Sequence, residues 1–209
     1  WLALQICQAI VNGGKLFGQD IEQGRVLYLA LEDSVRRLQS RMIKQGWGSE
    51  NSHLANLFTF EEFRKHIGFL NREGTERLEA LILANEYRFV VIDTLSRAFI
   101  GVKDINDSQE VTAALHPLQE IAIHNNIGIM LIDHHTKSRS FNPDPIDDVL
   151  GSTAKSAVSD TIFGIYTENG KQGAVLKARG KDIEEIDKRV LFDHLTGCWQ
   201  VVGDNKELE

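Results

Sequence analysis

Three apolar runs in this sequence end in ionisable residues. Glu32 and Asp33 follow residues 25–31, Asp93 and Thr94 follow residues 89–92, and Asp133, His134 and His135 follow residues 127–132. In an open parallel sheet the carboxyl ends of the strands share one edge, and that edge is where such sheets bind ligands. One polar terminus is explained by a strand leaving the core; three together point to a site. A carboxylate fixed at the end of a buried strand, as Asp93 is after Phe89-Val90-Val91-Ile92, suits the water shell of a Mg²⁺ ion whose other ligands are phosphate oxygens. This is the Walker B pattern, and its companion would be a phosphate loop, Gly-x-x-x-x-Gly-Lys-Ser/Thr. Each Gly-Lys pair here is followed instead by Leu16, Gln172 or Asp182, so no phosphate loop lies within these residues.

Two further groups carry charge at useful spacing. In residues 174–179 a period of two puts Val175, Lys177 and Arg179 on one face, so two cations project together. His134 and His135 are adjacent on an extended segment and point to opposite faces. Neither has a His four residues away or a nearby Cys, which argues against zinc. Residues 137–148 are rich in Ser, Asn, Pro and Asp and read as a loop of about a dozen residues, a length that usually accompanies function or mobility.

Alternating helices and strands must position these groups. Leu2, Ile6 and Ile10 recur at helical spacing, and Asn12-Gly13-Gly14 supplies a stop. The almost wholly apolar run 25–31 suits a strand covered on both faces. A helix over 34–45 follows, capped by Asp33 or Ser34 and closed by Gly46. After a polar stretch with a weaker helix at 61–70, a helix over 75–85 leads to the strand 89–93. A helix over 108–125, which Pro117 could bend, leads to the strand 127–132. Three such alternations predict a parallel sheet with crossover helices. A short helix at 154–159 and strands at 161–166, 174–179, 189–193 and 198–202, with turns at Asn169-Gly170 and Thr196-Gly197, predict an antiparallel end that extends the sheet.

Composition agrees with one continuous α/β domain over 1–209. Apolar residues make up 42% and charged residues 25%, which excludes disorder and collagen-like repeats. Lys and Arg number 23 against 30 Asp and Glu, a formal charge of −7. That argues against a basic protein that coats nucleic acid, although a local basic loop on an acidic body can still grip phosphates. The two cysteines, Cys7 and Cys198, fit neither a zinc pattern nor a disulfide framework and read as thiols in a reducing cytoplasm. No apolar stretch is long enough to span a membrane.

Five segments in order resemble RecA-type ATPases, and more narrowly the RepA-like branch of the hexameric helicases. They are Leu27-Tyr28-Leu29-Ala30-Leu31-Glu32-Asp33-Ser34, Val91-Ile92-Asp93-Thr94-Leu95-Ser96-Arg97, Asp133-His134-His135-Thr136-Lys137, Gly151-Ser152 through Ser159-Asp160-Thr161-Ile162, and Lys177-Ala178-Arg179-Gly180. The first residues, Trp1-Leu2-Ala3-Leu4-Gln5-Ile6, are similar to the helix that follows the phosphate loop, which the resemblance places just upstream of Trp1. The implied fold is α/β and RecA-like, a mostly parallel sheet flanked by helices with antiparallel C-terminal strands. The implied cofactors are ATP and Mg²⁺. Glu32 would polarise the attacking water, Asp93 would serve Mg²⁺ with Thr94 beside it, and His135, or else His134, would touch the γ-phosphate. Lys177 and Arg179 would reach across a subunit boundary to a neighbour's triphosphate. Lys137 and Arg139 would grip single-stranded DNA in the channel of a homo-oligomeric ring, a hexamer by the resemblance. A regulatory or recombination ATPase of RecA or KaiC type and a nucleotide-free assembly module are the competing implications.

Overall fold

The computed structural model describes residues 1–99, 107–135, 144–149, 154–167 and 173–205. Helix α1 (Leu2–Asn12) buries Ala3, Leu4, Cys7 and Val11 along one stripe and stops at Gly13, whose φ of 66° has no Cβ to oppose it. A short antiparallel hairpin of β1 (Gly14–Leu16) and β2 (Gln19–Ile21) turns through Phe17 and Gly18, both at positive φ. Its polar, Gly-rich sequence gave no strand signal. Strand β3 (Arg25–Ala30) is buried almost throughout and leads to α2 (Val35–Lys44). Of the two candidate caps, Ser34 performs the duty: its hydroxyl accepts from the Arg37 N–H at 3.3 Å.

The segment read as polar contains a strand, β4 (Ala55–Thr59), followed by α3 (Phe60–His66). The Glu62 carboxylate accepts from the Thr59 N–H at 2.8 Å and fixes this corner. Helix α4 (Arg72–Asn85) starts at Asn71, whose side chain accepts from the Gly74 N–H at 2.9 Å. A Cβ on Gly74 would lie 1.9 Å from the Phe69 carbonyl oxygen, so the chain entry into α4 requires glycine. Strand β5 (Tyr87–Asp93), the short α5 (Leu95–Ala98), α6 (Ser108–His124), which runs unbroken through Pro117, and β6 (Gly128–Ile132) complete the central unit.

The parallel sheet has the order β4-β3-β5-β6. Alternation along β3 assigns its two faces. Val26, Tyr28 and Ala30 pack with α1 and Leu38 of α2, while Leu27 and Leu29 pack with Phe63, Leu78, Ile82, Leu118 and Ile121 of α3, α4 and α6. Helices thus cover both faces, which is why the strands read as continuous apolar runs.

Within the segment expected to be loop, α7 (Pro145–Asp148) forms a helical turn capped by Asp144. Then follow α8 (Ala154–Val158) and the strands β7 (Thr161–Tyr166), β8 (Ala174–Gly180), β9 (Ile186–Asp193) and β10 (Cys198–Asp204). These are antiparallel as expected. Instead of extending the parallel sheet, they pair among themselves in the order β10-β9-β8-β7. The reason is their apolar face: Ala174, Leu176, Val190, Ile165, Trp199 and Val201 pack on Leu2 and Phe17, so this sheet is attached by burial to the start of the chain. Among the described residues no helix is long and apolar enough to cross a membrane.

Candidate functional site

The parallel register sets the site. Ala30 of β3 lies opposite Asp93 of β5, and Asp93 lies opposite Ile132 of β6. Glu32 therefore leaves the sheet beside Asp93, and Asp133, His134 and His135 leave beside it on the other flank. The Leu31 N–H donates to the Asp93 carbonyl at 2.7 Å, extending the ladder past the end of β3. Thr94, only 4% exposed, donates its hydroxyl to Glu32 Oε1 at 2.7 Å and lies 3.1 Å from the Ser96 hydroxyl. Glu32 itself is exposed, with Oε2 unengaged among the described residues. The peptide bond between Asp93 and Thr94 is cis.

Asp93 is half-buried, and the buried Tyr28 hydroxyl donates to its Oδ2 at 2.6 Å. Burial pushes the Asp93 carboxyl above its ordinary value; the Tyr28 bond opposes that shift, and the neighbouring Asp33 and Glu32 charges add to it. Tyr28 is a site residue that sequence reasoning passed over. It lies opposite Val91, two residues before Asp93 on the same face of β5, and a lone Tyr in an aliphatic run was the available signal. Burial and the Asp93 charge raise the Tyr28 hydroxyl pKa, so it remains a donor.

Asp33 serves α2. Its carboxylate accepts from Arg37 at 3.1 Å and pairs with Arg41, whose guanidinium lies 5.4 Å from the Trp1 ring centroid. Asp133 is likewise committed: Oδ1 accepts from the His134 N–H at 2.9 Å and Oδ2 pairs with Lys155 of α8 at 2.5 Å. Lys155 carried no sequence signal. His134 and His135 are both exposed; the backbone of His135 bridges Val149, and its ring centroid lies 5.8 Å from that of Tyr166.

The cation pair sits elsewhere, on β8. Lys177 is only 5% exposed and faces Asp187 Oδ2 at 3.9 Å. Arg179 is held by Asp144 at 3.2 Å and Glu185 at 3.5 Å and also donates to the Ala178 and Ile186 carbonyls. The period-two reading placed them on one face, and tertiary packing covers that face with acids. Lys137 and Arg139 lie outside the described residues, as do Gly151, Ser152 and the turn at Asn169-Gly170.

Chemically, the edge offers hard oxygen donors from two strands. Among the described residues no three His, Cys, Asp or Glu side chains converge closely enough to hold a metal by themselves. Asp93 and Glu32 fit a Mg²⁺ ion shared with phosphate oxygens and water, which needs only one or two protein carboxylates. Each carboxylate is oriented by a neutral hydroxyl donor and not by a cation, Asp93 by Tyr28 and Glu32 by Thr94. Residues 1–140 match the family model described as AAA domain. No curated protein matches the chain.

Proposed function

The chain belongs to the AAA domain family, a class of nucleotide-hydrolysing ATPase domains, and on that premise we propose that it is the RecA-like motor core of a replicative-type DNA helicase. In this reading residues 1–209 form one core, ATP is hydrolysed between subunits of a ring, and the ring moves along single-stranded DNA. The observation that carries it is the joining of Glu32 and Asp93, from neighbouring strands, through the 2.7 Å bond from Thr94 to Glu32. The order of the segments resembling the RepA-like branch supports the finer assignment.

Bound magnesium nucleotide would supply the electrophilic phosphoryl group and neutralise part of its charge. Asp93, held by the Tyr28 hydroxyl, would serve the water shell of the Mg²⁺ ion that accompanies the nucleotide. Glu32 holds the attacking water by the oxygen that Thr94 leaves open and takes up its proton. Arg179 of a neighbouring subunit, once released from Asp144 and Glu185, stabilises charge in trans. Glu32→Gln preserves the shape and the Thr94 bond but removes the base. Steady-state turnover should fall by roughly 10²-fold or more, with nucleotide binding unchanged; unchanged turnover removes Glu32 from the mechanism.

A second reading, a regulatory RecA-like ATPase without helicase activity, draws on the net charge of −7 and on the intramolecular commitment of Lys177 and Arg179. Turnover measured with and without single-stranded DNA separates the two: stimulation and strand displacement favour the helicase.

A further inference from the structure

Beside the carboxylate edge lies an ion pair to which the chemistry above gives no part. Lys155 of α8 donates to Asp133 Oδ2 at 2.5 Å, and the two side chains are only 13% and 18% exposed. Asp133 follows Ile132 of β6, which lies opposite Asp93. Its other oxygen, Oδ1, accepts from the N–H of His134 at 2.9 Å. One carboxylate thus joins the backbone that leaves the strand to a side chain 22 residues further along the chain. An ion pair taken largely out of water adds little net stability, because desolvation offsets the attraction. What it can supply is a fixed geometry.

Helix α8 is anchored from behind. Ala154 is buried with Leu95, Val111 and Leu115, and Val158 and Leu131 pack on the same cluster. The Gln119 side chain of α6 donates to the Val158 carbonyl at 2.8 Å, and the Ser159 hydroxyl donates to the Lys155 carbonyl at 2.7 Å. Leu95 opens α5 directly after Thr94, so this one short helix bears on the ends of both β5 and β6. Beyond Asp133 come His134 and His135, both exposed; the His135 backbone bridges Val149, and its ring centroid lies 5.8 Å from that of Tyr166. Without the ammonium of Lys155 the Asp133 carboxylate is free to turn, and the bond that sets the backbone at His134 turns with it.

We propose that Lys155 is a positioning residue: acting through Asp133, it fixes the direction in which His134 and His135 leave β6 and so holds these two residues beside the carboxylate edge. The consequence for turnover rests on the function proposed above; the consequence for geometry does not. Side chains of a reacting site keep their place only where neighbours lock them, and a displacement of about 1 Å lowers turnover by as much as 10²-fold.

Nuclear magnetic resonance on the full chain without nucleotide reads the geometry as the Overhauser contact between the rings of His135 and Tyr166, and steady-state kinetics reads the consequence. Lys155→Met should lose the ring contact and lower kcat by roughly tenfold or more with KM within about twofold, and Lys155→Arg should restore both. Lys155→Gln, which is shorter than Lys and uncharged, is read in the same way where the Met variant does not fold. The exchange of Asp133→Lys with Lys155→Asp separates positioning from a merely structural pair. It rebuilds the ion pair but leaves no acceptor for the His134 N–H, so the melting temperature should recover while the ring contact and kcat stay low. A ring contact that survives in Lys155→Met or Lys155→Gln, or an exchange variant that regains contact and turnover, would overturn the proposal. Loss of the contact in a protein whose wild type shows no turnover counts against the proposed function and leaves the positioning by Lys155 standing.

Discussion

The two sets of charged residues in this molecule are held in opposite ways. At the edge of the parallel sheet, Glu32 and Asp93 receive their hydrogen bonds from uncharged hydroxyls, Thr94 and Tyr28. On β8, Lys177 and Arg179 are held by carboxylates, Asp187, Asp144 and Glu185. A neutral donor orients a carboxylate without cancelling its charge, so the edge keeps a negative field for a cation. An ion pair cancels what it orients, so the β8 cations become available to a ligand only by exchange of partners. The carboxylates of the edge are oriented without a counter-charge, whereas the charge of the β8 pair is answered within the chain.

Cutting each kind of contact sharpens the contrast. Lys177→Met leaves the Asp187 carboxylate without its cation on a covered sheet face, and urea denaturation should show a loss of about 3 kcal/mol. Adding Asp187→Leu should recover much of it, because the uncompensated charge is then removed; a double variant as unstable as the single would mean that the pair does not neutralise this face. Tyr28→Phe removes one neutral donor from a charged acceptor and should cost about 2 kcal/mol. It should also raise the pH at which turnover loses its acidic limb, since Asp93 loses the bond that favours its charged form; a stability loss with an unmoved limb would make Tyr28 structural only.

Asp93→Asn is expected to have the smallest effect and the opposite sign. The folded Asp93 pKa lies above its ordinary value of 3.8, so the native state binds more protons than the unfolded chain just above that pH. Stability from this group is therefore lost as pH rises through that window. The Asn variant should be slightly more stable than wild type at neutral pH and lack this slope, while losing turnover; thermal melts at several pH values check the sign. A less stable variant at neutral pH would show that the Asp93 charge is compensated in the fold.

Much of the carboxylate edge was legible in the residues. The runs before Glu32, Asp93 and Asp133 each had the apolar length of a buried strand, and the strand-end rule alone placed them on one edge. The strand β4 was not legible, because Ala55-Asn56-Leu57-Phe58-Thr59 is too short and mixed to show a period; parallel pairing with β3 makes it a strand. The hairpin β1–β2 was hidden for the same reason. For the β8 pair, periodicity gave the shared face but not what lies against it, since Asp144 is 35 residues away from Arg179 in sequence.

By itself, then, the chain order of apolar runs and polar ends determined the layering of helices on a parallel sheet and the residues that leave its edge, because both follow from local periodicity and burial. Only tertiary packing decided which donors hold them. Tyr28 reaches Asp93 from 65 residues away, Thr94 reaches Glu32 from 62, and the C-terminal strands close on themselves against α1. Those choices depend on which surfaces meet in space, and hydrogen bonds and ion pairs act only over a few ångströms.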